Sequence, residues 1–141
     1  MSTHVLPLRL SQMRIAIGLV AAENENRAEA AEQYAHLDEL IGSGFASLFY
    51  RHLGIIAHAA GFEDKAVAHF EAALAFTRKA GYRAELAWTC CDYADLLRQR
   101  NGVGDSEKAA ALLDEGLSIA RDLGMRPLME RILARRQFLK A

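Results

Sequence analysis

Long apolar runs are missing from this chain. Its richest stretches, such as IAIGLVAA at 15–22, break off well short of the ~20 apolar residues that a membrane-spanning helix needs. No transmembrane segment and no membrane partner are therefore expected. The opening residues, MSTHVLPLRLSQMR, lack the basic start, apolar centre and small-residue cleavage site of a secretory signal, which points to the cytoplasm. A dominant charge is missing too: 17 Lys and Arg against 18 Asp and Glu leave a formal net charge of -1. Phosphate binding is driven by basic residues in number, so a nucleic-acid partner is not expected. Cysteine is scarce, and Cys90 and Cys91, being adjacent, cannot make a disulfide framework. There is no Gly-rich loop ending in lysine and no strand pattern to carry one.

What is present is helical periodicity, nearly end to end. Apolar residues recur at helix spacing, and both prolines, Pro7 and Pro127, stand close to helix starts. At 141 residues, with no low-complexity or linker-like segment, a single domain over 1–141 is expected. Glycines punctuate the pattern: Gly42 and Gly44, Gly61, Gly81, Gly102 and Gly104, and Gly124, each where a left-handed residue can close a helix. The spacing predicts helices over roughly 5–22, 26–41, 45–60, 63–80, 83–100, 106–122 and 127–139. Asn26 with Glu29 forms a capping-box pattern, and Asp105 or Ser106 is placed to cap the sixth helix.

The helices repeat in pairs. Gly18, Ala30, Tyr34 and Leu37 align with Gly54, Ala66, Phe70 and Ala73, with steps of 12, 4 and 3 residues in both. Ala94, Ala109, Leu113 and Gly116 make a third set, its first step stretched to 15 by the Gly102–Gly104 turn. Starts 36 and 40 residues apart fall in the period range of helical-pair repeats. A small residue on one helix facing a small residue on the next lets the pair approach closely, and a bulkier one a turn later fills the adjoining space. One hairpin cannot bury both of its faces, so such units stack.

The segment LGIIAHAAGFEDKAVAHFEAALAFTRKAG resembles a tetratricopeptide repeat. Leu53 and Gly54 match the leucine and small residue, Gly61 the turn, and Ala66, Phe70 and Ala73 the alanine–aromatic–alanine series of the second helix. Ala57 stands where the family usually has an aromatic, no proline closes the unit near Thr77, and in the first unit Arg14 replaces the counterpart of Tyr50. The resemblance implies an all-α, right-handed superhelix of three hairpins, about 5–41, 45–80 and 83–122, closed by a capping helix at 127–139. Residues 45–126, with their DYADLL and GDSEKAAALL segments, also resemble the carboxy-terminal repeat arrays of large bacterial ATP-binding regulators and of ATPase-fused class III adenylate cyclases. The ATPase and cyclase parts have no counterpart here, so no catalytic role carries over.

Candidate chemistry is thin. Neighbours on a helix point about 100 degrees apart, so Cys90 and Cys91 cannot share a face. By the repeat alignment Cys90 lies inside its hairpin as a small hydrophobe, whereas Cys91 faces the inner side. The histidines, His4, His36, His52, His58 and His69, offer no close-spaced ligand set, so neither metal nor cofactor is expected. A Cys91 nucleophile with His58 as base lacks an orienting carboxylate and an oxyanion donor, which makes an enzyme the weakest class.

A binding surface fits better. Trp88, Cys91, Asp95 and Arg98 are spaced 3, 4 and 3 residues apart and form one stripe on the fifth helix. Arg51 and His58, with Leu48 and Ile55, form the matching stripe on the third, and Arg131 and Arg135 continue it on the seventh. The resemblance implies that first helices of each pair line a concave groove for a peptide or partner helix, here one of acidic character. Against this stands the plainer alternative of a solvated surface on which Asp95 and Arg98 merely pair. Other expectations are a regulatory or oligomerisation module detached from a larger ATP-dependent signalling or transcription regulator, and a homodimer through the first helix, whose sequence VLPLRLSQMRIAIGLV is apolar on more than one face.

Overall fold

The computed structural model describes residues 5–41 and 46–140, and among these every regular element is helical. In chain order they are α1 (Val5–Glu23), α2 (Arg27–Ile41), a short 3-10 turn (Ala46–Phe49), α3 (Tyr50–Ala59), α4 (Glu63–Ala80), α5 (Arg83–Arg100), α6 (Asp105–Leu123) and α7 (Arg126–Lys140). No helix among the described residues is long and apolar enough to cross a membrane. The expected breaks at Gly42 and Gly44 and the start of the third helix at 45 lie outside the described residues. The third helix is shorter than its pattern: Ala46–Phe49 winds as 3-10, and Phe49, at φ -129°, breaks the winding before α3 begins at Tyr50.

Helix ends share one device. An N–H two or three residues past the helix bonds back to the carbonyl five residues earlier: Asn26 to Ala21, Phe62 to Ala57, Tyr82 to Thr77 and Met125 to Ala120. This closure needs a left-handed residue just before the donor. Gly61 takes it at φ +86°, and Glu25 takes it at φ 55° without the freedom of glycine. The apolar residue after two of these turns folds back onto the helix it leaves or its neighbour. Phe62 tilts against Tyr34, ring centroids 5.6 Å apart, and Tyr82 sits edge-on to Phe76 at 5.9 Å.

Two caps differ from expectation. The Asn26 carboxamide accepts from the Glu29 N–H at 3.2 Å, but the Glu29 carboxylate accepts from Gln33 at 2.7 Å instead of returning to Asn26, so the box is half formed. Asp105 does not cap the sixth helix. It is that helix's first residue, and its carboxylate accepts two bonds from Arg100, each 2.8 Å, and one from the Gly102 N–H at 2.9 Å. A charged guanidinium within reach outcompetes the neutral N–H groups of the helix end.

The chain divides into two compact units, 1–72 and 73–141. In the first, Gly18, Ala30, Tyr34 and Leu37 of the first anchor set, and Gly54, Ala66 and Phe70 of the second, are all buried. A Cβ on Gly54 would come within 2.9 Å of the Phe70 ring, so the bulky anchor packs directly onto the glycine, where a small residue was expected to face it. Gly18 differs: a Cβ there would meet Ile56 Cδ1 at 2.7 Å, so its space is taken by the next hairpin rather than by its own. In the second unit Ala94, Ala109, Leu113 and Gly116 are buried, and Gly116 admits the Ile132 side chain of α7 and Cys90 of α5, 3.2 and 3.3 Å from where its Cβ would stand. Leu128 and Ile132 of α7 are fully covered, while Leu133 faces outward.

Candidate functional site

The candidate residues fall in both units. In the first, Arg51 and His58 stand on α3 with two helical turns between them, both half-buried. The Arg51 guanidinium lies 3.2 Å from His52 Nε2. His58 helps to line an open cleft of about 550 Å³ together with Arg27, Gly61, Phe62 and Lys65. Arg27 is held there by a 3.2 Å bond from its Nε to the Ala60 carbonyl, a cation placed at the carboxy end of α3 where the helix dipole favours it. Lys65 lies over the Tyr34 and Phe62 rings, at 5.5 and 5.4 Å. Glu63 and Asp64 line the same cleft, so its charges balance and it has no strong preference for either sign.

His69 has a different occupation from the one considered for it beside His58. It is buried, with Nε2 2.7 Å from the Tyr34 hydroxyl. This pair joins the second helices of two successive hairpins and satisfies both buried polar groups. Among the described residues no three or more His, Cys, Asp or Glu side chains gather as a metal site would require.

In the second unit the remaining candidates come together, but as partners of one another. The Arg131 guanidinium lies over the Trp88 ring, 5.9 Å from its centroid. One turn on, Arg135 donates to both oxygens of Asp95, at 3.1 and 3.4 Å. Arg98 lies 3.9 Å from Asp95, and its guanidinium covers the Phe138 ring at 5.2 Å. Positions 131, 135 and 138 of α7 thus meet 88, 95 and 98 of α5 in the same order, so the two helices run alongside in the same direction. Phe138 was missing from the candidates, although its place on the stripe of Arg131 and Arg135, three residues further on, was there to read.

Cys91 departs from expectation. It does not line an open surface: it is 0% exposed, as is Cys90. α7 lies along this side of α5 and brings Arg131 and Arg135 near the thiol. Burial pushes the Cys91 thiol up to about 12, with the Asp95 and Asp92 carboxylates adding to the rise and the two arginines opposing it. Cys90 is likewise pushed up to about 12 by burial, reinforced by Glu115. At these values both are protonated thiols at neutral pH, without the lowered pKa that marks a reactive cysteine. Partial burial works against the charge on Arg135, but the Asp95 carboxylate outweighs it and holds the guanidinium above its ordinary range.

What remains open on this face is Arg131 and Phe138, both exposed, with Trp88 and Arg98 half-exposed beside them. Asp95 and Arg135 act as ties: their side chains are only 18% and 27% exposed, and each already has its partner. Compared with known proteins, the chain matches no family model, no curated protein and no solved structure.

Proposed function

We propose that the chain is a noncatalytic interaction module of the tetratricopeptide kind, its hairpins stacked as a right-handed superhelix, that receives an acidic peptide or partner segment. The observation that supports this most is a recurring pattern of burial: the small and bulky anchors at matching places in successive helix pairs are all buried, Gly18 making room for the next hairpin and Gly54 for its own. Repeats built this way hold a surface rigid, and a rigid surface spares the ordering cost of binding on the module's side.

Within this reading the recognition chemistry lies with Arg98 and Arg131, flanked by Trp88, and on α3 with Arg51 and His58. Cys91, Asp95 and Arg135 support that surface from beneath. Guanidinium groups pinned over aromatic rings keep their N–H edges free for carboxylates. A cytoplasmic setting belongs to the same reading, since both cysteines are free and buried as thiols. The regulator-tail alternative rests on the likeness of the DYADLL and GDSEKAAALL segments alone.

The test is binding of the full chain to a fluorescent Glu- and Asp-rich peptide, followed by affinity capture. Charge reversal at Arg51, Arg98 and Arg131 should weaken the peptide by roughly tenfold or more, as expected for loss of charge-assisted contacts, and should deplete the captured partners. Equal binding and equal recovery by the reversed form would sink the proposal.

A further inference from the structure

The first helix carries a second stripe, and no described residue of the first unit covers it. Leu10, Met13, Ile17 and Val20 of α1 are 48%, 62%, 43% and 60% exposed, while Ile15, Gly18 and Ala21 face inward and are buried. The outward four are separated by 3, 4 and 3 residues, the alternation that keeps an apolar seam facing a partner helix along its length. Scattered apolar residues on a surface need no explanation; four in one seam on one helix do.

We propose that this seam pairs with the same seam of a second copy of the chain, with the two α1 helices antiparallel. The charges beside the seam select both partner and direction. Taking Leu10 and Ile17 as one core position and Met13 and Val20 as the other, the position just before the former holds Arg9, Ala16 and Glu23, each exposed. In an antiparallel pair about a two-fold axis, Leu10 meets Val20 of the second copy and Met13 meets Ile17. That register sets Arg9 opposite Glu23 of the second copy, twice by symmetry, and Ala16 opposite Ala16, where small side chains let the helices close. A parallel pair instead sets Arg9 against Arg14 of the second copy, also twice, and is repelled. The antiparallel register also brings Arg14 toward Arg14 of the second copy across the axis, one like-charge contact against two Arg9–Glu23 attractions, whereas the parallel pair has only repulsions, so the charges favour the antiparallel direction.

The interface is small. Four apolar side chains per copy bury less than the ~1,200 Å² at the lower edge of standard complexes, so the dimer is a dissociable one.

Sedimentation equilibrium of the full chain over a concentration series tests this. The wild type should show a concentration-dependent monomer–dimer equilibrium. Ile17→Glu should be monomeric throughout, with its helix content by circular dichroism unchanged because the position is outward. Arg9→Glu should raise the dimer dissociation constant roughly tenfold, since two symmetry-related pairs turn from attraction to repulsion; Glu23→Arg should do the same, and Arg9→Glu with Glu23→Arg should return to near the wild-type value. Three results would overturn the proposal. A wild type monomeric at every concentration removes the seam, a dimer untouched by Ile17→Glu places the contact elsewhere, and Arg9→Glu strengthening the dimer means the helices run parallel.

Discussion

Two stripes in this molecule have the same spacing and different fates. On α5, Trp88, Cys91, Asp95 and Arg98 step by 3, 4 and 3 residues; on α1, Leu10, Met13, Ile17 and Val20 step identically. The α5 stripe is polar enough to suggest an open surface, yet α7 lies along it and takes its charges into internal pairs. The α1 stripe is apolar enough to suggest a core, yet in its own unit it faces outward. Spacing defines a helix face; which neighbour covers that face is decided by contacts far along the chain.

The comparison can be broken at its largest difference by giving both regions the same substitution. Ile132 of α7 is 0% exposed and Ile17 of α1 is 43% exposed. Ile132→Ala should cost about 3 kcal/mol of unfolding free energy in a denaturant titration, because the cavity at Gly116 cannot close. Ile17→Ala, measured on dilute monomer, should stay within about 0.5 kcal/mol of wild type. Comparable losses at the two sites would mean that the α1 face is buried after all.

A smaller effect sharpens the polar side of the contrast. In a double-mutant cycle, Asp95→Ala and Arg135→Ala should show a coupling of about 1 kcal/mol, more than the few tenths of an exposed pair. Zero coupling would return Asp95 and Arg135 to the plain solvated surface that their sequence also allowed.

The smallest effect lies at the loop before α6. The Arg100 guanidinium and the Gly102 N–H hold the Asp105 carboxyl down to about 2, below its ordinary 3.8. Because the folded value is the lower one, this group's contribution is complete above about pH 4 and fades as pH falls through 2. Thermal melts of Asp105→Asn should therefore lie a few degrees below wild type at neutral pH and converge with it toward pH 2. A constant offset down to pH 2 would assign the loss to something other than the charge.

Much of the fold was legible because its punctuation is local. Gly61, Gly81 and Gly124 each stop a helix by adopting a conformation few other residues take, and the pattern around them places α4, α5 and α7 to within a residue. The close of α1, expected at 22 and found at Glu23, was as near, although Glu25 performs the same turn without glycine. The shortened third helix was not legible, because nothing in ASLF distinguishes a 3-10 start from an α-helical one. Asp105 shows a local competition that sequence leaves open: cap a helix, or pair with Arg100 five residues before. The candidate site was half legible. Its residues do gather on α5 and α7, but whether α7 lies beside the stripe or on top of it depends on how Leu128 and Ile132 seat against α6, a tertiary event with no local signal.

Cys91 is where that question has its sharpest reading, since it sits in the middle of the α5 stripe and carries its own chemical reporter. Native chain is pulsed with an alkylating reagent at pH 8 and each cysteine is quantified by mass spectrometry, with an unfolded control. With α7 in place and the thiol pushed up to about 12, neither Cys90 nor Cys91 should be labelled until the chain unfolds, when both should react at the free-thiol rate. Labelling of native Cys91 at that rate, with Cys90 still protected, would contradict the account and restore the stripe as an open surface.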